Sequence, residues 1–151
     1  QEYNAMEYLV YKSRALVAPG STACRDIVAL SQLSNAYLGL TGFLHAEEGL
    51  FIQYLEGAPE QLWALYEHIS LDLRHTDVVL LGQGELKKPR FEGWSMGYSE
   101  SNVLSFADFL EEVSFCKPVE DASSAEAIIF LMAARARIDL GICDAPNASW
   151  H

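Results

Sequence analysis

FIQYLEG, residues 51–57, sets a glutamine in the middle of an otherwise apolar strand. Strand alternation sends Phe51, Gln53 and Leu55 to one sheet face and Ile52, Tyr54 and Glu56 to the other. A primary amide on an apolar face must find partners or cost roughly 1–3 kcal/mol. It carries donors at one end and an acceptor at the other, so rotation lets it exchange partners. Gln53 is therefore a candidate relay, in step with Tyr11 and Asn35 upstream and with Trp94 and Met96 downstream.

Working outward, EYLVYKS (7–13) alternates as a first strand with Leu9, Tyr11 and Ser13 on one face. Pro19-Gly20 breaks the chain, and Ser21 or Thr22 caps a helix to about Leu38, which Gly39 ends. Along that helix Ile27, Ser31, Ser34, Asn35 and Leu38 share a face. Strands at about 40–46 and 50–56 are joined by the tight Glu47-Glu48-Gly49 hairpin. Pro59 then opens a second helix to about Leu73, whose buried stripe is Leu62, Leu65, Tyr66 and Ile69. Strands at roughly 77–86 and 94–99 follow, separated by the basic loop Lys87 to Gly93. The order β-α-β-β-α-β-β predicts an α+β, ferredoxin-like sheet with two helices on one face.

Residues 1–102 make this sensor-sized domain, and 103–151 a C-terminal helical extension. FADFLEEV (106–113) predicts a short helix, Lys117-Pro118 a break, and SSAEAIIFLMAARARI (123–138) a longer helix capped by Ser123 or Ser124. In it Ile128, Leu131, Met132 and Arg135 recur at amphipathic spacing. These helices, or a second subunit, would cover the other face of the sheet.

Ten Lys plus Arg against 21 Asp plus Glu give a formal charge of −11. Phosphate backbones and anionic lipid are repelled by such a chain, so direct nucleic-acid binding is not expected. No apolar run reaches the length of a membrane span. Cys24, Cys116 and Cys143 are odd in number and lack metal-type spacing, which fits reduced thiols and a cytoplasmic location. The Asn147-Ala148-Ser149 sequon has meaning only behind a secretory signal. His45-Ala-Glu-Glu is no zinc motif, His68 and His75 are a poor ligand pair, and no Gly-rich phosphate loop is present.

Taken singly, Tyr11 reads as a packed aromatic, Gln53 equally as a functional amide or a satisfied buried polar group, Asn35 as a capping or turn residue, and Trp94 and Met96 as core. Their co-occurrence on four elements, all expected to face the helix-covered side, favours a site. The set resembles the BLUF domains, blue-light sensors that use flavin. The motifs LVYKS, SQLSN followed by GLTG, FIQYLEG, DLRH and WSMG carry the resemblance, from about residue 7 to residue 99.

The resemblance implies roles residue by residue. Tyr11 would give an electron and then a proton to photoexcited flavin. Gln53 would lie between that phenol and the N5/O4 edge of the ring, changing orientation or tautomer. Asn35 would bond the O4/N3 side. Ile27 and Ile69 would sandwich the ring, with Phe51 beneath it. Asp72 and Arg74 of DLRH would hold the ribityl or phosphate portion, and His68 would point toward that tail. Trp94 and Met96 would exchange places near Gln53. Ser34 stands where many members of the family have Asn or His, and His68 where Arg is frequent.

The expected cofactor is FAD, with FMN fitting the same ring pocket. The expected protein is a non-enzymatic switch. Its output passes through the C-terminal helices to a downstream effector protein in trans, and the chain is a homo-oligomer. A light-insensitive interaction module on the same fold is the second reading, and a small acylphosphatase-like enzyme ranks last because no Arg-bearing phosphate loop follows the first strand.

Overall fold

A computed structural model describes residues 5–141. Cys143 and the sequon at Asn147 lie outside the described residues. The elements run β1 (Met6–Ala15), α1 (Thr22–Leu38), β2 (Thr41–Glu47), β3 (Leu50–Gly57), α2 (Pro59–Ser70), β4 (His75–Leu86), β5 (Gly97–Glu100), α3 (Phe106–Val113), a 3-10 turn (Val119–Asp121) and α4 (Ser124–Asp139). The strands form a single sheet in the order β4-β1-β3-β2-β5. All neighbours are antiparallel except β2 and β5, which are parallel. This is the expected ferredoxin-like arrangement, with an extra strand at the edge.

Local chemistry explains the element ends. Ser21 accepts from the Cys24 amide at the start of α1, and Gly39, at φ 72°, closes the helix in the left-handed conformation that glycine adopts without strain. At α4 the expected cap is a reciprocal box. The Ser123 hydroxyl accepts from the Glu126 amide, and the Glu126 carboxylate accepts from the Ser123 amide. α2 stops at Ser70, three residues before the expected Leu73. The chain there turns into a carboxylate loop, in which the Arg74 amide donates to Asp72 Oδ1 at 2.9 Å.

Alternation along β1 and β3 divides the core in two. Leu9, Tyr11, Phe51 and Leu55 pack with Cys24 and Val28 of α1 and Leu62 of α2. Val10, Ile52 and Tyr54 face the other way, into a second core built with Phe106 and Leu110 of α3 and Ala127, Ile128, Phe130, Leu131, Ala134 and Ile138 of α4. The C-terminal helices thus cover the second face. The inward stripe of α4 differs from the predicted one, because Met132 is exposed and Phe130 and Ala134 are buried in its place. The helix is apolar on more than one side, so its spacing alone did not define which side faces the sheet.

A polar cluster sits within this second core. His45 of β2 is fully buried, with Nδ1 2.7 Å from Ser99 Oγ of β5 and Nε2 2.8 Å from Glu47 Oε1. The carboxylate can only accept, so Nε2 carries the proton and Nδ1 accepts from Ser99. Glu47 also accepts from the Phe106 amide at the start of α3, and the Phe130 ring packs edge-on against the imidazole at 4.6 Å. Burial pushes the His45 imidazole down, and the bond to Glu47 offsets this only in part. Burial raises Glu47, but the His45 bond and the Phe106 and Ala107 amides outweigh it, so its carboxyl lies below the usual range.

The two shifts act in the same direction. An unfolded chain takes up a proton at His45 near its ordinary value of 6.5 and at Glu47 near 4.5, while the folded chain resists both. Stability is therefore full above about pH 6.5 and expected to fall in two stages on acidification. Thermal melts across pH 4–8 check this, and His45→Gln is expected to flatten the upper stage while retaining the lower.

Candidate functional site

The site begins with strand register. Tyr11 of β1 stands directly opposite Gln53 of β3, and Leu44 of β2 flanks Gln53 on its other side. The pleat turns Tyr11 and Gln53 to the α1/α2 face together, so the Tyr11 hydroxyl donates to Gln53 Oε1. The other end of the amide, Nε2, lies 3.6 Å from Met96 Sδ, a weak acceptor. Phenol, carboxamide and thioether form one buried chain. Burial, with the nearby Tyr66 and Asp72 adding to it, pushes the Tyr11 phenol well above the ordinary tyrosine range. The hydroxyl therefore keeps its proton at any physiological pH.

A cleft of about 250 Å³ opens beside this chain, between α1 and α2. Ile27, Leu30, Leu44, Phe51, Leu65 and Ile69 make it apolar, while Ser31, Ser34, Asn35 and Gln53 supply polar groups on one side. His68, Asp72 and Arg74 lie at its charged end. Arg74 grips Asp72 through Nε at 3.0 Å and Nη2 at 2.6 Å, and this guanidinium holds the Asp72 carboxyl down to about 2. Every residue expected to contact a cofactor lines this cleft.

Asn35 is buried and donates through Nδ2 to the Ser95 carbonyl at 2.7 Å. Among the described residues its Oδ1 has no hydrogen-bond partner, and Gln53 Nε2 has only the sulfur. Two buried amides facing an apolar slot with unused capacity suit a flat heterocycle that offers both donors and acceptors along one edge. An isoalloxazine ring is such a group, and the residues present fit it.

Trp94 is not part of this slot. It was expected beside Met96 on the last strand, facing the helices, but both residues precede β5, which starts at Gly97. In the irregular segment before it the Trp94 amide bonds the Phe91 carbonyl at 3.0 Å, and the Trp94 carbonyl accepts from Gly42 at 3.0 Å. Alternation does not hold there. The indole, 3% exposed, enters the opposite core against Phe43, at 5.6 Å between centroids, while Met96 enters the pocket core. Gly97 makes this possible, since a Cβ there would lie 2.3 Å from the indole and 2.4 Å from the Phe43 ring.

Sequence reasoning missed three groups. His75, the last residue of DLRH, lines the cleft with Nδ1 2.7 Å from Ser13 Oγ and Nε2 2.8 Å from the Ile69 carbonyl. It ties β1 to the end of α2 beside Tyr11, whose ring centroid is 6.1 Å away. Gln32 donates to the Met96 carbonyl at 3.1 Å. Glu56, 1% exposed, accepts from Thr41, Tyr54 and the amides of Arg90 and Phe91, anchoring the loop that leads to Met96. An acid closing an apolar strand was a visible signal of a buried polar anchor, but its partners lie more than 30 residues away in sequence for two of the four bonds.

A family model described as sensors of blue-light using FAD matches residues 6–97, most of the chain. The chain belongs to the BLUF family. BLUF domains sense blue light through a bound flavin, and residues 6–97 form such a domain. The photoactivated adenylate cyclase subunit beta of Euglena longa is 30% identical over 106 residues, 70% of this chain. The subunit alpha of Euglena gracilis is 32% identical over 90 residues. This BLUF chain matches only 12% and 9% of the lengths of those relatives. Among solved structures, the BLUF protein BlrB in its dark state superposes with a TM-score of 0.73 at 27% identity, covering 88% of this chain and 96% of BlrB. BlsA in its photo-activated state gives 0.68 at 26% identity, covering 83% and 91%. No helix of the described residues is long and apolar enough to cross a membrane.

Replacing Asn35 by Ala leaves the Ser95 carbonyl without its donor. This is expected to lower the unfolding free energy by about 1–3 kcal/mol, with Asn35→Asp costing more because a carboxylate cannot donate. Urea titration of both variants against the parent chain checks it.

Proposed function

We propose that this BLUF chain is a non-enzymatic switch in which Tyr11 and Gln53 form the light-responsive hydrogen-bond relay. The reading is supported by the buried chain of Tyr11, Gln53 and Met96 bordering a flavin-compatible slot. Ile27, Ile69 and Phe51 hold the ring, Asn35 and Ser34 engage its polar edge, and His68, Asp72 and Arg74 face the ribityl or phosphate tail. FAD is the proposed cofactor, named in the description of the family; FMN shares the ring.

A bound flavin supplies absorption of blue light and, once excited, a strong oxidant. The protein supplies the remainder. Tyr11 is an oxidisable phenol whose proton already points at Gln53 Oε1. A phenol that has lost an electron is a strong acid, so this proton moves to Oε1 without any large displacement. The Met96 thioether is a weak competitor for Nε2, so Gln53 can rotate or change tautomer at little cost and present a different group to the slot. The apolar walls from α1 and α2 keep bulk water from substituting for these partners. Each hydrogen bond contributes about 0.5–1.5 kcal/mol net, so re-sorting two or three moves a coupled two-state equilibrium by roughly one to two decades.

Residues 1–102 would act as the sensor and 103–151 as the output element, passing the change to an effector protein in trans. An output through an effector is supported by the likeness to photoactivated adenylate cyclase subunits. Self-association fits the outward apolar residues Ile129 and Met132 of α4 and Leu140 just beyond it, all exposed. Free Cys24 and Cys116 fit a cytoplasmic setting.

The test is a light-minus-dark absorption spectrum of the purified yellow protein, with recovery followed in darkness. The wild type is expected to show a reversible red shift. Tyr11→Phe and Gln53→Leu are expected to retain flavin and lose the shift; an intact photocycle in either would overturn the assigned roles.

A further inference from the structure

Residues 90–96 cross from one face of the sheet to the other. At their C-terminal end Met96 contributes its sulfur to Gln53 Nε2, and Asn35 and Gln32 hold the Ser95 and Met96 carbonyls. At their N-terminal end the Arg90 and Phe91 amides are held by Glu56, and the Phe91 and Trp94 rings lie in the core beneath α4. Trp94 and Met96 are only two residues apart, so a displacement of Met96 has little slack to dissipate before it reaches the indole.

One side chain of α4 holds this segment at three points. The Arg135 guanidinium donates through Nη1 to the Arg90 carbonyl at 2.5 Å. Its carbon lies 5.6 Å from the centroid of the Phe91 ring and 5.4 Å from that of Trp94. Nε is 3.5 Å from Asp139 one turn on, which keeps the plane oriented. The remaining contacts of α4 with the sheet are mainly apolar, through Ile128, Phe130, Leu131, Ala134 and Ile138. Apolar contacts are non-directional and tolerate small slides. A planar guanidinium with fixed donor directions and a preferred stacking face does not. A further directional tie, Arg137 Nε to the Val103 carbonyl at 2.7 Å, grips the chain beyond β5, away from the Gln53 contact.

We propose that Arg135 is the residue coupling the light-sensing site to the cap helices. It is a positioning residue that reads the placement of Phe91 and Trp94, and through them of Met96. This rests on the reading of Gln53 as the light-driven relay. In the dark arrangement Arg135 holds α4 to the segment. When Gln53 changes partner and Met96 shifts, the Arg90 carbonyl and the two rings move relative to the guanidinium, and α4 loses a directional restraint while keeping its apolar seat.

The experiment uses the full chain with flavin bound and reads two quantities in the same sample. These are the light-induced red shift, and the light-minus-dark difference in backbone hydrogen exchange across 124–139. In the wild type both are expected. In Arg135→Ala the red shift is expected to persist, while the exchange difference across α4 falls by roughly threefold or more. Arg135→Lys keeps the charge without the planar fork and is expected to fall between. A merely structural arginine would raise exchange equally in light and dark and leave the difference intact. That result overturns the proposal, as does a wild type that shifts red with no change in α4. Should Arg135→Ala not fold, Arg135→Lys decides, and an unchanged exchange difference in it is the overturning result. A wild type with no red shift defeats the sensor reading itself, and the coupling with it.

Discussion

The register that sets Tyr11 opposite Gln53 is the constraint on which the rest of the molecule depends. In an antiparallel pair, residues directly opposite share a face and lie within reach of each other. Slipping β1 by a single residue against β3 would send Tyr11 to the cap face and bring Val10 or Lys12 against the amide. Register is held because both faces of the sheet are covered. Leu9, Leu55 and Phe51 belong to the α1/α2 core, and Val10, Ile52 and Tyr54 to the α3/α4 core. A slipped strand would exchange the contents of both. The sheet is thus a rigid template, and the phenol–carboxamide contact follows from it and needs no flexible loop.

Polar groups buried in that template are all tied to a second element. His45 links β2 to β5 and, through Glu47, to the first turn of α3. Glu56 links β3 to the loop ahead of β5, and His75 links β1 to the end of α2. Each such group is costly when unpaired, so each defines a single arrangement of its neighbours more sharply than apolar packing does. Gln53 differs from these. Among the described residues its one strong partner is Tyr11, and its amide nitrogen meets only a thioether. Gln53 and Asn35, the two buried amides with a weakly held or unused end, both lie at the cleft, where freedom to change partner is useful.

The stretch from Arg90 to Met96 is the least regular part of the sheet domain, and its irregularity has a function in the architecture. A continuous strand would have placed Trp94 and Met96 on one face, competing for the same volume beside Gln53. The turn at Phe91 to Trp94, and the missing side chain at Gly97, let the indole lie in one core and the thioether in the other. Both covers of the sheet are therefore in contact with a single short segment, with Asn35 and Gln32 gripping it from α1 and Arg135 from α4. β5 is only four residues long, at the edge of the sheet, and bonded to β2 alone, so it is the strand with the fewest ladder bonds to disturb.

Much of this was legible in the sequence because it follows from local periodicity. Alternation over residues 7–13 and 51–57 assigned Tyr11 and Gln53 to a common face, the three-and-four spacing from Ile27 to Asn35 assigned the cleft side of α1, and the Ser123-Ser124 pair marked the start of α4. Periodicity has no content where the backbone is irregular or where a helix is apolar on several sides. Trp94 was accordingly expected on the helix-covered side with Met96, with the choice of which of the two points inward left open, and the amphipathic spacing read in α4 took in Met132, which is exposed. Nor could spacing pair His45 with Ser99, Glu56 with the Arg90 and Phe91 amides, or Arg135 with Trp94, because those contacts join segments brought together only by the folded chain. The amino-acid order determined which face each strand residue would occupy, since that depends on the geometry of neighbouring peptides. The folded sheet alone decided which distant groups would meet across those faces, since buried donors and acceptors accept whichever partner the packing of both cores delivers within reach.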